Sequence, residues 1–95
     1  MPTQIRQIDD LEREITTLRI AGEVLQNDAE LIQRIALGIR ADSGRRVVID
    51  IGDLSFVDSE AAPILKHLDE LEGFRIDGAE IFLQTVVNDA ERRSN

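Results

Sequence analysis

The stretch from Val47 to Leu65, VVIDIGDLSFVDSEAAPIL, limits what this chain can fold into more than any other. Val47, Val48 and Ile49 run apolar without interruption, and Ile51 closes the run. A short block of branched residues of that kind reads as a strand buried on both faces. Gly52 and Asp53 then break the chain, and Leu54, Phe56 and Val57 bring it back toward a core. Asp58 and Ser59 follow, both of residue types that favour a helix start. Ala61, Ala62, Ile64, Leu65, Leu68 and Leu71 recur at three- and four-residue spacing, which is a helical stripe. The chain therefore leaves a buried strand, makes a tight connection and presents Ser59 as the N-cap of a helix.

The segments before and after this unit supply its partners. Ile5 and Ile8 make a weak first strand, Asp9 and Asp10 mark a turn, and Ile15 to Ile20, rich in β-branched residues, is a better strand ended by Ala21-Gly22. The segment VLQND reads as a loop. Asn27 followed by Glu30 resembles a capping box, and Leu31, Ile35 and Ile39, with Ile32 and Ala36 alongside, form the apolar face of a helix. Gly38 lies inside that helix, and Asp42-Ser43-Gly44 stops it. After the second helix, Gly73 is placed as its C′ residue and Phe74 to Asp77 alternate as a short strand. Residues 80–91 read as a strand by propensity and as a helix by spacing. Helix is preferred, because Phe74 and Ile76 already supply a strand. Residues 92–95 are expected to be a disordered tail.

The expected order is ββαβαβα. Helical crossovers join parallel strands with right-handed connections, and the first two strands are close enough for a hairpin. The fold class is α/β: a mixed, mostly parallel sheet with an N-terminal strand pair and about three helices packed on it. With 95 residues and an apolar share of 42%, residues 1–95 make a single domain with a modest core. The free edge of the N-terminal strands can pair with a second copy, making a homodimer.

Charge narrows the function classes. The net charge is -8, which disfavours nucleic acids and anionic membranes as partners. Three Phe, no Tyr and no Trp leave no aromatic platform on which bases could stack. There is no Cys, which fits a reducing compartment. No segment is long enough to span a membrane, and the N-terminus MPTQIRQIDD lacks the pattern of a secretory signal, so a cytoplasmic location is expected.

Site chemistry is sparse. Asp50, Asp53, Asp58 and Glu60 form a local carboxylate group that could hold Mg²⁺ in a receiver-like phospho-aspartate site. A receiver also needs acidic residues after its first strand and a lysine after a later one, and the only lysine is Lys66, on the helix itself. His67 is the only histidine and falls off the apolar stripe of its helix, so it reads as solvent-facing rather than as a general base. Gly22, Gly38 and Gly44 are too scattered for a phosphate loop. Nothing in the sequence points to an enzyme, a cofactor or a metal.

The whole chain resembles the STAS domain family of bacterial anti-sigma factor antagonists. LRIAGEV (Leu18 to Val24) resembles the family's strand ending in Gly-Glu, and VVIDIGDLSFVDSEA (Val47 to Ala61) resembles its strand, short loop and Asp-Ser-Ser/Thr-Gly entry into a helix. The stretch EGFRIDGAEIFLQTVV resembles its last shared strand and following helix. The resemblance implies a protein-binding regulatory module in transcription signalling. In the family, the serine after the aspartate is phosphorylated by a partner serine kinase that doubles as the anti-sigma factor; Ser59 matches that serine and Asp58 its neighbour. It further implies docking through Asp58, Glu60, Ala61 and Ala62, with Leu25, Asn27 and Asp28 from the preceding loop. Glu60 stands where the family has a second small hydroxyl residue, Ala61 where it has glycine, and Leu25 where it commonly has aspartate. Pro63 is unusual in the first turns of the helix. Two other readings stay open: a small STAS subunit bound to the ATPase of a lipid-transport ABC system, and a STAS scaffold that has lost the phospho-switch.

Overall fold

The computed structural model describes residues 2–78. Six elements follow one another: β1 (Gln4–Asp10), β2 (Ile15–Val24), α1 (Gln26–Ser43), β3 (Arg46–Val57), α2 (Ala61–Glu70) and β4 (Phe74–Asp77). They form a four-stranded sheet in the order β1-β2-β3-β4. β1 and β2 are antiparallel, whereas β2, β3 and β4 are parallel. The expected mixed sheet is present, and two helices pack on it. The expected third helix, over residues 80–91, and the expected tail at 92–95 fall outside the described residues.

The hairpin forms because Asp10 Oδ1 accepts the Arg13 backbone N–H at 3.2 Å, a side-chain turn of the kind aspartate favours. Its strands then pair over their whole length, from Gln4 opposite Ala21 to Asp10 opposite Ile15. The weak first strand is thus longer than its own sequence signal, because β2 templates it.

The helix-covered face of the sheet carries the core. Leu18, Ile20, Val47 and Ile49 are fully buried, Ile51 and Ile76 nearly so, and they cluster with Ala29, Ile32 and Ala36 of α1 and Ala61, Leu65 and Leu68 of α2. Burying such a side chain contributes roughly 1.5–3 kcal/mol, and this cluster drives folding. The expected apolar face of α1 is present in Ile32 and Ala36, which are buried, and in Ile35 and Ile39, which pack against the core at its edge; Leu31 is exposed instead, and Ala29 joins the buried face. On the opposite face, Val48 is 8% exposed although no described helix covers it. Its partners in the neighbouring strands are Thr17 and Arg75.

Several boundaries differ from the sequence reading. The run from Val24 to Asp28 is not a loop. β2 continues past Gly22 to Val24, and α1 begins at Gln26, so that its N-cap lies two residues before the expected cap Asn27. Leu25 occupies the N-cap and has no side-chain acceptor; Asp28 Oδ2 instead accepts the Leu25 N–H at 3.0 Å, the returning half of a capping box. At its far end, Gly44 takes a left-handed conformation (φ 70°) and donates its N–H to the Arg40 carbonyl, as glycine does at a helix stop. Gly52 and Asp53 do not end the third strand, which runs on to Val57.

Candidate functional site

The rim beyond the C-terminal ends of β2 and β3 collects the residues singled out in the sequence. In open α/β sheets that edge is where ligands and partners meet the fold. Two irregularities in β3 shape it. Arg19 pairs with Asp50 and Ala21 with Asp53; Gly22 pairs with Leu54 and Glu23 with Phe56. At each step β3 advances one residue more than β2, so β3 carries two one-residue bulges. Bulges bend and twist a strand and re-aim its side chains. Gly52 sits in the first, its N–H held by Asp50 Oδ1 at 3.0 Å. The ladder nevertheless closes at its end, where the Asp58 N–H reaches the Val24 carbonyl at 2.9 Å. That bond sets the start of α1 directly beside the start of α2.

The entry to α2 is organised by Asp58 and not by Ser59. The Asp58 backbone carbonyl accepts the N–H groups of Ala61 and Ala62 at 2.9 and 3.1 Å. Its Oδ1 accepts the Glu60 N–H and the Ser59 hydroxyl, both at 3.4 Å. The expectation that Ser59 caps the helix is therefore corrected. Pro63 supplies the physical reason for the irregular first turn: it has no N–H to give the Ser59 carbonyl four residues back, so regular helix begins only at Ala61. Ser59 is left exposed at the tip of the turn, its hydroxyl making one long contact with Asp58.

The remaining expected contact residues divide. Glu60, Leu25 and Asn27 are exposed and Asp28 and Asp58 half-buried, all around the junction of the two helix starts. Ala61 and Ala62 are not available to a partner: they are 0% and 8% exposed and pack into the core beneath α2. Phe56 is a residue that sequence reading assigned to the core. It is 43% exposed at the end of β3, paired with Glu23, and together with Leu25 at 47% gives the rim two large apolar side chains. A shallow depression beside Leu25 is lined by Pro2, Thr3, Glu23 and Asp28, and the Thr3 hydroxyl donates to the Glu23 carbonyl.

The carboxylates do not converge as a receiver site would need. Asp50 is engaged by the Gly52 N–H and by Arg19 at 3.6 Å, on the face of the sheet that no described helix covers. Among the described residues no three acidic or imidazole side chains gather where a metal ion could be held. His67 is exposed on α2, as its place off the apolar stripe implied. No described helix is long and apolar enough to cross a membrane.

No family model matches the chain, and no curated protein matches it in sequence. Solved structures match it in fold. The anti-sigma factor antagonist SpoIIAA in its unphosphorylated form superposes with a TM-score of 0.52 at 19% identity, over 70% of this chain and 58% of SpoIIAA. The STAS domain of an antisigma-factor antagonist from Rhodobacter sphaeroides superposes at 0.58 and 16% identity, over 82% of this chain and 88% of that one. An uncharacterized protein from Shewanella loihica with a SpoIIAA-like fold gives 0.52 and 20%, over 78% and 65%. The domain thus has a STAS-like fold, and it spans a little over half of the SpoIIAA chain.

Proposed function

We propose that this STAS-like domain is a protein-docking regulatory module rather than an enzyme, working in the cytoplasm. Its contact surface is the rim made by Leu25, Asp28, Phe56, Asp58, Ser59 and Glu60, and phosphorylation of Ser59 switches it. The partner is a serine kinase that doubles as an anti-sigma factor. The observation that carries this reading is the state of Ser59: exposed, and with no structural task beyond a 3.4 Å contact to Asp58. A residue free of structural duty, on a rim with two exposed apolar side chains, supports a role in recognition.

The chemistry of the turn defines how a phosphate would act. Asp58 already holds the first amides of α2, so a phosphate on Ser59 would find few donors within its own domain. It would add roughly -1.5 to -2 charges between two carboxylates, Asp58 and Glu60. Neither carboxylate has a cationic partner among the described residues. The modification would therefore change what the rim repels, and leave the fold alone. Affinity capture from the native cell with wild type, Ser59→Ala and Ser59→Asp tests this, with phosphopeptide mass spectrometry alongside. Capture of one kinase-type partner by wild type and Ser59→Ala, lost in Ser59→Asp, is the expected result. Equal capture of every partner by all three forms would remove the switch. A lipid-transport ATPase captured regardless of Ser59 would replace this reading with that of a transporter subunit.

A further inference from the structure

We infer that β1 is a self-pairing edge through which two copies of this chain join their sheets into one. β1 lies at the end of the strand order, and no backbone hydrogen bond joins its outer side to any described residue. It is seven residues long, unbroken by proline or bulge, and exposed at every position except the half-buried Ile5. An edge of that kind is a template for another strand unless something blocks it.

The side chains say which strand. Ile5 lies opposite the buried Ile20, so Arg6, Ile8 and Asp10 point to the face that no described helix covers. There Arg6 stands directly across from Arg19, a like-charge pair that opposes strand pairing. Arg19 turns to Asp50, and Arg6 has no ion-pair partner among the described residues. Asp10 reaches only Arg13, at 3.9 Å and in solvent. Ile8 is 38% exposed between them. The strand thus presents an unpaired cation, an apolar residue and a weakly paired anion on one face.

Geometry restricts how two such strands can meet. Outward-pointing backbone groups alternate along an edge, and an antiparallel ladder needs both members of a bonded pair to point outward. The two-fold axis must therefore pass through one residue and its own copy. Centred on Arg6 or on Asp9, it sets like charges face to face. Centred on Gln7, it sets Arg6 against Ile8 and Ile5 against Asp9. Centred on Ile8, it sets Arg6 against Asp10 of the second copy twice over, flanking an Ile8–Ile8 contact, with Gln7 against Asp9. Within β1, only that register pairs opposite charges. It also brings the exposed Leu11, at the start of the turn, up to Ile5 of the second copy. The contact is isologous and closes as a dimer. The two-fold axis stands perpendicular to the sheet, so the described helices of both copies stay on one side and the two Ser59 rims face opposite ways.

Sedimentation equilibrium of the full chain at low salt tests the register. Wild type is expected to dimerise. Arg6→Asp and Asp10→Arg each reverse two exposed pairs and weaken self-association about tenfold. An equimolar mixture of the two variants is expected to regain the dimer, because each then offers the charge that the other needs. Arg6→Asp also faces Arg19 with an opposite charge, so its thermal midpoint at low protein concentration should not fall, and Asp10→Asn, which keeps an acceptor for the Arg13 N–H and loses only the charge, should weaken the dimer with the hairpin intact; together they separate loss of pairing from loss of folding. A wild-type chain monomeric up to about 1 mM overturns the inference, that being the weak end of specific association. So does a mixture that associates no better than either variant alone.

Discussion

Removing the Asp58 carboxylate should destabilise this domain, and removing the Ser59 hydroxyl should not. The two side chains are neighbours of cap-forming type, so intuition would give them similar weight. The hydrogen bonds distinguish them. Asp58 Oδ1 accepts the Glu60 N–H and the Ser59 hydroxyl, and the same residue's carbonyl anchors Ala61 and Ala62. Asp58→Ala removes the side-chain acceptor at the helix start and the negative charge beside its positive end. A cap substitution of this kind costs about 0.5–2 kcal/mol. At 3.4 Å the bonds are long, which places Asp58 in the lower half of that range, about 1 kcal/mol. For a domain of this size that lowers the thermal midpoint by about 4–8 °C. Ser59→Ala deletes one long, solvent-exposed contact and should stay within about 0.5 kcal/mol of wild type. Thermal and urea unfolding followed by circular dichroism measures both. If Ser59→Ala proves as destabilising as Asp58→Ala, the hydroxyl is a structural cap, and its freedom for regulation, on which the proposed switch rests, is refuted.

Two glycines should respond in opposite directions to alanine. Gly38 sits inside α1 with open space where a Cβ would go, so Gly38→Ala should raise stability by up to about 1 kcal/mol in the same unfolding assay. Gly78 has φ 88°, and a Cβ there would meet the Gly52 backbone nitrogen at 2.9 Å, so Gly78→Ala should cost roughly 1–3 kcal/mol. Asp9 gives a pH dependence: hydrogen bonds from Gln7 and from the buried Thr16, followed by the charge of Arg45, lower its pKa below the ordinary 3.8. A carboxyl lowered on folding stabilises the native state above its unfolded pKa and loses that contribution as pH falls through the folded one. The thermal midpoint of Asp9→Asn should therefore lie below that of wild type at neutral pH, and the gap should narrow below about pH 4. A gap that is constant with pH would show that the charge contributes nothing.

Much of the fold could be read from local pattern, because the strongest elements carry their period in their own residues. Val47 to Ile51 could hardly be anything but a buried strand, and Ala61 to Leu68 anything but a helix face. The start of α1 was less legible. Leu25 is a poor cap, and the signal was Asp28, three residues on, reaching back to the Leu25 N–H. The stripe of α1 is legible except at its first turn, where Leu31 is apolar yet exposed and periodicity alone cannot tell the buried Ala29 from a solvent-facing alanine.

The candidate site was legible as a location but not as an arrangement, and the cause is pairing between distant strands. Gly52 and Asp53 look like a break because locally they are one. They remain in β3 because β2 continues alongside to Val24, and the mismatch is absorbed in two bulges. Those bulges expose Phe56, which in an unbroken alternation would be judged by its neighbours Leu54 and Val57. They also deliver the Asp58 N–H to the Val24 carbonyl, bringing two helix starts together across more than thirty residues of sequence. The one local clue to the division of labour between Asp58 and Ser59 was Pro63. A proline at that distance cannot bond the Ser59 carbonyl, so the regular helix had to begin later and the residue anchoring its first amides had to be Asp58. The serine stays uncommitted because the proline and the aspartate together leave the cap no need of it.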